Sequence, residues 1–235
     1  MAGEFDGKVV MVTGANGNLG QAAARRFAAE GAKLVLVGRA EADLADLFTE
    51  LGGMIGVADV TDEAQVDALV KQVEAQLGRI DVLVHTVGGY AAGQPVHEAG
   101  LDVWNRMMTL NAQSVYVTCG RVARHMVEQN VQGRIVAVLS KNAYKGTAKN
   151  AAYSAAKAAA QRVLESMAAE LKGNGITVNG VVPSTIDTPQ NRAGQPNADY
   201  SKWVQPEEIA DALVFLTSEK AHSITGVSLD IFGRS

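Results

Sequence analysis

The sequence predicts an α/β protein built on one doubly wound parallel sheet of about seven strands, with helices on both faces. Three observations predict it. Short apolar runs recur without polar alternation, as expected of strands covered on both faces. Segments with helical spacing separate them. A glycine-rich turn, "TGANGNLG" (13–20), follows the first apolar run and opens the first helix.

Each element follows in order. "KVVMVT" (8–13) reads as the first strand, and "NLGQAAARRFAAEGA" as a helix with Leu19, Ala23, Phe27 and Ala28 on one face and Gly31 as its stop. "KLVLVG" (33–38) is the second strand, "AEADLADLFTELG" the second helix, and "MIGVADV" (54–60) the third strand. A third helix starts near Thr61 or Asp62 and runs to Leu77, with Val66, Leu69, Val70 and Val73 as its apolar stripe. "IDVLVHTV" is the fourth strand, and residues 101–129 form one long helix. "GRIVAVLS", a helix from Ala151, and "GITVNGVV" follow. "PEEIADALVFLTS", with Pro206 in its first turn, and "GVSLDI" close the pattern. No repeat or linker divides residues 1–235, so one domain is expected. The long irregular stretch 183–205 falls after a strand's carboxyl end, where ligands sit in such sheets, and reads as a substrate lid over about 184–205.

Bulk properties narrow the function. A net charge of −4 leaves no basic stripe for nucleic acid. The single Cys119 permits no intrachain disulfide and reads as a small buried apolar side chain in a reducing compartment. "MAGEFDGKVV" has no basic region followed by an apolar core, and no apolar run approaches the ~20 residues of a membrane span. The expectation is a soluble cytoplasmic protein with no membrane or nucleic-acid partner and no metal.

Two motifs carry chemistry. The strand, glycine turn and helix start form an anion site, because free N–H groups and the helix dipole favour a pyrophosphate. "YSAAK" sets Tyr153 and Lys157 four apart on one helical face, where an ammonium would lower a phenol pKa that starts near 10. Ser140 ends the fifth strand at the same sheet edge.

Over essentially its whole length the chain resembles the short-chain dehydrogenase/reductase family. That family's turn, T-G-x-x-x-G-x-G, is matched by Thr13, Gly14 and Gly20; Asn18 replaces the middle glycine, with Gly17 before it and Leu19 after. Asn tolerates positive φ, so the turn is expected to keep its shape with the flexible residue displaced by one. Asp59 matches the family's adenine-contacting Asp, and Val60 adjoins it. Of N-N-A-G only Gly88 survives in "HTVG", which makes His85 a packed, hydrogen-bonded turn residue rather than a catalyst. Asn111, Ser140, Tyr153 and Lys157 match the catalytic tetrad. The resemblance implies that Tyr153 protonates a carbonyl oxygen that Ser140 polarises. Lys157 would hold the nicotinamide ribose and tune the tyrosine, while Asn111 supports a water in the proton relay. In "NGVVPSTIDT", Asn179, Pro183 and Thr188 match, and Ile186 and Thr188 would meet the carboxamide.

At the end of strand two Gly38 stands where an acid would bind a ribose hydroxyl, and Arg39 follows, so NADP(H) is preferred with NAD(H) possible. Tyr90, Tyr144, Gln190, Tyr200 and Trp203 are substrate candidates by position. The leading reading is a carbonyl or 3-oxoacyl reductase, or an alcohol dehydrogenase, acting on a small molecule. The stretch 183–211 also resembles dihydropteridine reductases, which makes a pterin the alternative substrate. From another class, a dinucleotide-binding sensor without turnover is the competing reading. The helices at 101–129 and 151–171 are apolar on more than one face, which predicts a homotetramer or homodimer.

Overall fold

The computed structural model describes residues 3–234. Seven parallel strands form one sheet: β1 (Val9–Thr13), β2 (Lys33–Gly38), β3 (Met54–Val57), β4 (Val82–His85), β5 (Arg134–Val138), β6 (Thr177–Pro183) and β7 (Ser228–Ile231). Their order is β3-β2-β1-β4-β5-β6-β7. The chain winds outward in both directions from the β1–β4 pair, and such a switch point leaves a crevice at the carboxyl edge of the sheet.

The strands are apolar throughout because both faces are covered. Along β1, Val9 and Met11 point into one core, and Val10 and Val12 into the other. The first core packs under α3 (Glu63–Leu77), α5 (Ser114–Glu128) and α6 (Ala151–Leu171). The second packs under α1 (Asn18–Ala29), α2 (Ala45–Leu51) and α8 (Pro206–Thr217). The expected stripe Val66, Leu69, Val70 and Val73 of α3 lies in the first core. Cys119 is fully buried there, and burial pushes its thiol up to about 12, so it is inert packing.

Several boundaries differ from expectation. β3 stops at Val57, three residues early, because Asp59 leaves the ladder and accepts from the Thr61 amide (2.9 Å) and hydroxyl (2.7 Å). The cap of α3 is Asp62, which accepts from the amides of Ala64 and Gln65. A 3-10 turn, Glu41–Leu44, precedes α2. The expected 101–129 helix is two helices, α4 (Leu101–Met108) and α5, joined by a π-helical turn at Thr109–Gln113. A wide turn releases carbonyls from the α pattern, and side chains take them up. Asn111 Nδ2 donates to the Met107 carbonyl (3.1 Å) and Ser114 Oγ to the Leu110 carbonyl (2.7 Å). Periodicity alone does not reveal it.

The irregular stretch is partly ordered as α7 (Pro189–Gly194) and a 3-10 turn, Tyr200–Lys202. On α6, Ala156, Ala160, Leu164 and Ala168 are buried, whereas Ala155, Ala159 and Val163 are only half-buried. Among the described residues, no helix is long and apolar enough to cross a membrane.

Candidate active site

Many of the predicted residues lie at or just beyond the carboxyl ends of the strands, beginning at the glycine turn. Only Gly14 there has positive φ, at 69°. Gly17 is extended (φ −79°), and Asn18 is the first residue of α1. The expected displacement of a positive-φ residue onto position 17 or 18 is therefore wrong: this turn needs one at Gly14 only. Gly20 is required for a different reason, since a Cβ there would collide with the Gly14 carbonyl. Leu19 is buried beneath the turn.

No side chain caps α1, and its first turn carries no acid. The opening N–H groups are thus left for an anion, and the bare glycine backbone lets it approach. This cradle fits the pyrophosphate of a dinucleotide. Arg39 is exposed at the end of β2, beyond the buried Gly38. Asp59 spends its carboxylate on Thr61, and the Val60 carbonyl accepts from Thr118 (3.2 Å).

The loop after β4 continues the crevice. Thr86 Oγ1 donates to the Thr13 carbonyl (2.7 Å), tying this loop to the glycine turn. Asn111, fully buried in the π turn, brackets Gly89: its Oδ1 accepts from the Gly89 amide (3.2 Å) and its Nδ2 donates to the Gly89 carbonyl (2.9 Å). A Cβ on Gly88 would stand 2.9 Å from Asn111 Oδ1 and 3.2 Å from Lys157 Nζ, so glycine is needed for this contact. His85 is the last residue of β4, not a turn residue, and is packed and hydrogen-bonded.

Ser140, just past β5, is nearly buried and accepts from the Asn142 amide (3.3 Å). Lys157, on α6, lies in the interior with Nζ donating to the Val138 carbonyl at 2.8 Å. Burial lowers its pKa to about 8. Tyr153 has its pKa raised, mainly by burial; the hydrogen bond with Ser140 works the other way, and nearby Tyr90 adds to the rise. The expectation that Lys157 lowers the phenol's pKa is not met, because desolvation outweighs the Ser140 hydrogen bond that favours the phenolate. Tyr153 therefore holds its proton at neutral pH, ready to donate it. The Tyr90 ring meets the Tyr153 ring edge-on, with centroids 5.0 Å apart.

The other substrate candidates have the following surroundings. Tyr144 donates to Asp230 Oδ1 (2.7 Å), and its pKa is pushed up to about 12 by burial and that carboxylate. Trp203 is buried and packs on Tyr200, whose ring lies under the Arg192 guanidinium. Gln190 is exposed on α7. Pro183 ends β6, and Ile186 bridges to Val204 in a single parallel pair. Thr188 caps α7 by accepting from the Asn191 amide (3.2 Å). An ion pair unseen in the sequence, Asp187 with Arg192 (2.6 and 2.7 Å), clasps this segment together with Gln205. Those partners lower the Asp187 pKa to about 2. Among the described residues, no group of three or more His, Cys, Asp or Glu is placed to hold a metal.

Comparison with known proteins agrees with this architecture. The profile of the short chain dehydrogenase family matches residues 8–199. The meso-2,3-butanediol dehydrogenase of Serratia marcescens is 35% identical over 242 residues, spanning 97% of this chain and 94% of that protein. The gluconate 5-dehydrogenase of Burkholderia cenocepacia, solved with NADP and tartrate, superposes with a TM-score of 0.90 at 30% identity, covering 97% and 95% of the two chains. An NAD+-bound xylitol dehydrogenase gives the same TM-score and identity, covering 97% and 99%. The chain belongs to the short-chain dehydrogenase/reductase family. It is an oxidoreductase of carbonyl and alcohol groups that uses a nicotinamide dinucleotide.

The buried lysine generates a prediction. Folded Lys157 releases its proton near pH 8, but the unfolded side chain does so only near 10.5, so wild-type stability rises with pH across that window. Holding the ammonium inside costs on the order of 3 kcal/mol at pH 7. Lys157→Met is expected to raise Tm by a few degrees at pH 7 despite the orphaned Val138 carbonyl, with the gain shrinking by pH 9.5. Calorimetry at both pH values checks this; a lower Tm at pH 7 contradicts it.

Proposed function

We propose that this protein is a carbonyl reductase or alcohol dehydrogenase that prefers NADP(H) and acts on small ketones and secondary alcohols, 3-oxoacyl thioesters among them. The observation that carries the reading is the convergence of Ser140, Tyr153 and Lys157 at the end of β5, beside the loop that Asn111 holds. When bound, the nicotinamide supplies or accepts the hydride. Tyr153 gives the carbonyl oxygen the proton of its phenol, and Ser140 donates a hydrogen bond to the same oxygen. Lys157, beside Gly88, would hold the ribose and restore the proton to Tyr153 through a water that Asn111 would support. Pro183, Ile186 and Thr188 would hold the carboxamide, and Asp59 and Val60 the adenine. Segment 184–205 covers the substrate, clasped by Asp187 and Arg192.

The names of the similar proteins (a butanediol, a xylitol and a gluconate dehydrogenase) favour a substrate with a hydroxyl next to the reacting carbon. Absorbance at 340 nm tests the proposal, with each reduced cofactor against diketones, hydroxyketones, 3-oxoacyl thioesters, aldehydes and quinonoid pterins. Turnover of ketones supports it. Cofactor binding with no turnover on the whole panel supports the sensor reading instead.

Tyr153→Phe is expected to lower kcat at least about a hundredfold while cofactor Kd stays within a few-fold, since the phenol supplies a proton and little binding energy. Retention of more than about a tenth of kcat would remove Tyr153 as the acid.

The exposed Arg39 supports the NADP(H) preference, because a guanidinium there meets a 2′-phosphate that an acid would repel. Arg39→Asp is expected to reverse the kcat/KM ratio of the two cofactors toward NAD(H). A wild-type enzyme that already prefers NADH contradicts the assignment.

A homotetramer, or at least a homodimer, is supported by a groove of about 700 Å³ between α5 and α6. Val117, Val163, Met167 and Leu171 line it, and Arg121, Arg124, Arg162, Glu63, Glu128 and Glu170 ring it. An apolar floor with a rim of both charges suits a two-fold contact in which the face covers itself. Light scattering at micromolar concentration should give two or four times 24.6 kDa; the monomer mass overturns the proposal.

A further inference from the structure

His85 is buried at the switch point of the sheet and has no part in the proton transfer described above. It pairs in register with Thr13 of β1 and Ala137 of β5. Both ring nitrogens are engaged: Nδ1 lies 2.9 Å from Thr13 Oγ1, and Nε2 lies 3.3 Å from Ser114 Oγ. The direction of these bonds follows from counting protons. Ser114 has one hydroxyl proton and gives it to the Leu110 carbonyl, so towards His85 it accepts. Nε2 therefore carries the ring proton, and Nδ1 accepts from Thr13. The chain runs Thr13 to His85 to Ser114 to Leu110 with every donor used once.

Both ends of this chain are tied to the reaction crevice. Thr13 precedes Gly14 of the dinucleotide turn. Leu110 precedes Asn111 in the π turn, and Asn111 brackets Gly89, whose neighbour Gly88 lies against Lys157. From His85 the path returns along residues 86–89 to its own strand, closing a ring of contacts. Burial, with a smaller contribution from the Lys157 charge, keeps the imidazole neutral by lowering its pKa to about 3, so the direction of the chain does not change with physiological pH.

We propose that His85 is a positioning residue: through Thr13 on one side and Ser114 on the other, it fixes the distance between the dinucleotide turn and the Asn111–Gly89 clamp. This rests on the reading of Asn111 and Lys157 as parts of the reacting centre. An Asn at position 85 retains an acceptor near Nδ1 for Thr13 but is too short for Ser114. A Gln reaches the Nε2 position and retains the Ser114 link.

Hydrogen exchange at the Gly89 amide, followed by NMR in the full chain without cofactor, tests the proposal independently of turnover. His85→Asn is expected to speed exchange about tenfold, Ser114→Ala to match it, and His85→Gln to restore protection to within about threefold of wild type. With NADPH and a ketone substrate, kcat should fall in the same order, with little change in substrate KM. Should His85→Asn fail to fold, Ser114→Ala alone decides the matter. Wild-type protection of Gly89 in Ser114→Ala overturns the proposal, whatever the activity. The expected exchange pattern in a protein that reduces no carbonyl would leave the positioning role standing and remove the functional reading.

Discussion

The arrangement of the site depends on one hydrogen bond, from Lys157 Nζ to the carbonyl of Val138. It joins the first third of α6 to the last residue of β5 in the interior, where an ammonium is costly. With Lys157 docked there, Tyr153 is delivered one helical turn earlier and beside Ser140. The same ammonium lies against Gly88 and adds to the burial that holds down the pKa of His85. The protein accepts a loss of stability in return for a cation that sits close to neutrality, with a pKa of about 8. Such sites are where function commonly opposes stability.

A second constraint is close backbone approach. A Cβ would meet Thr86 and Val87 at Gly14, the Gly14 carbonyl at Gly20, and Asn111 and Lys157 at Gly88. The π turn does similar work at the other wall of the crevice, since it turns the Asn111 amide onto Gly89. Its liberated carbonyls are taken by Asn111 and Ser114, so the distortion leaves these polar groups paired.

The strands were legible in the sequence because burial on both faces leaves runs such as "KVVMVT" with no polar interruption. Tyr153, Lys157 and Ser140 were legible because one helical turn and one strand end fix their relation. What depends on side-chain geometry was not. The break in the 101–129 helix leaves its apolar spacing intact. Asn18 suggested a positive-φ residue displaced by one because its replacement of a glycine was visible, whereas its place as the first residue of α1 was not. The sign of the Tyr153 shift was misjudged because spacing reveals a neighbouring lysine but not that its ammonium turns to the Val138 carbonyl while burial dominates the phenol. His85 was read as packed, yet its link to Ser114 joins residues 29 apart and has no local signature.

The account rests most heavily on Lys157 being a buried cation that is easily discharged. A pH titration of its Nζ by heteronuclear NMR, in the cofactor-free protein with Lys157→Met for assignment, measures this directly. The predicted midpoint is about 8. A midpoint at the ordinary lysine value near 10.4 would mean that the ammonium is solvated, and would contradict the account.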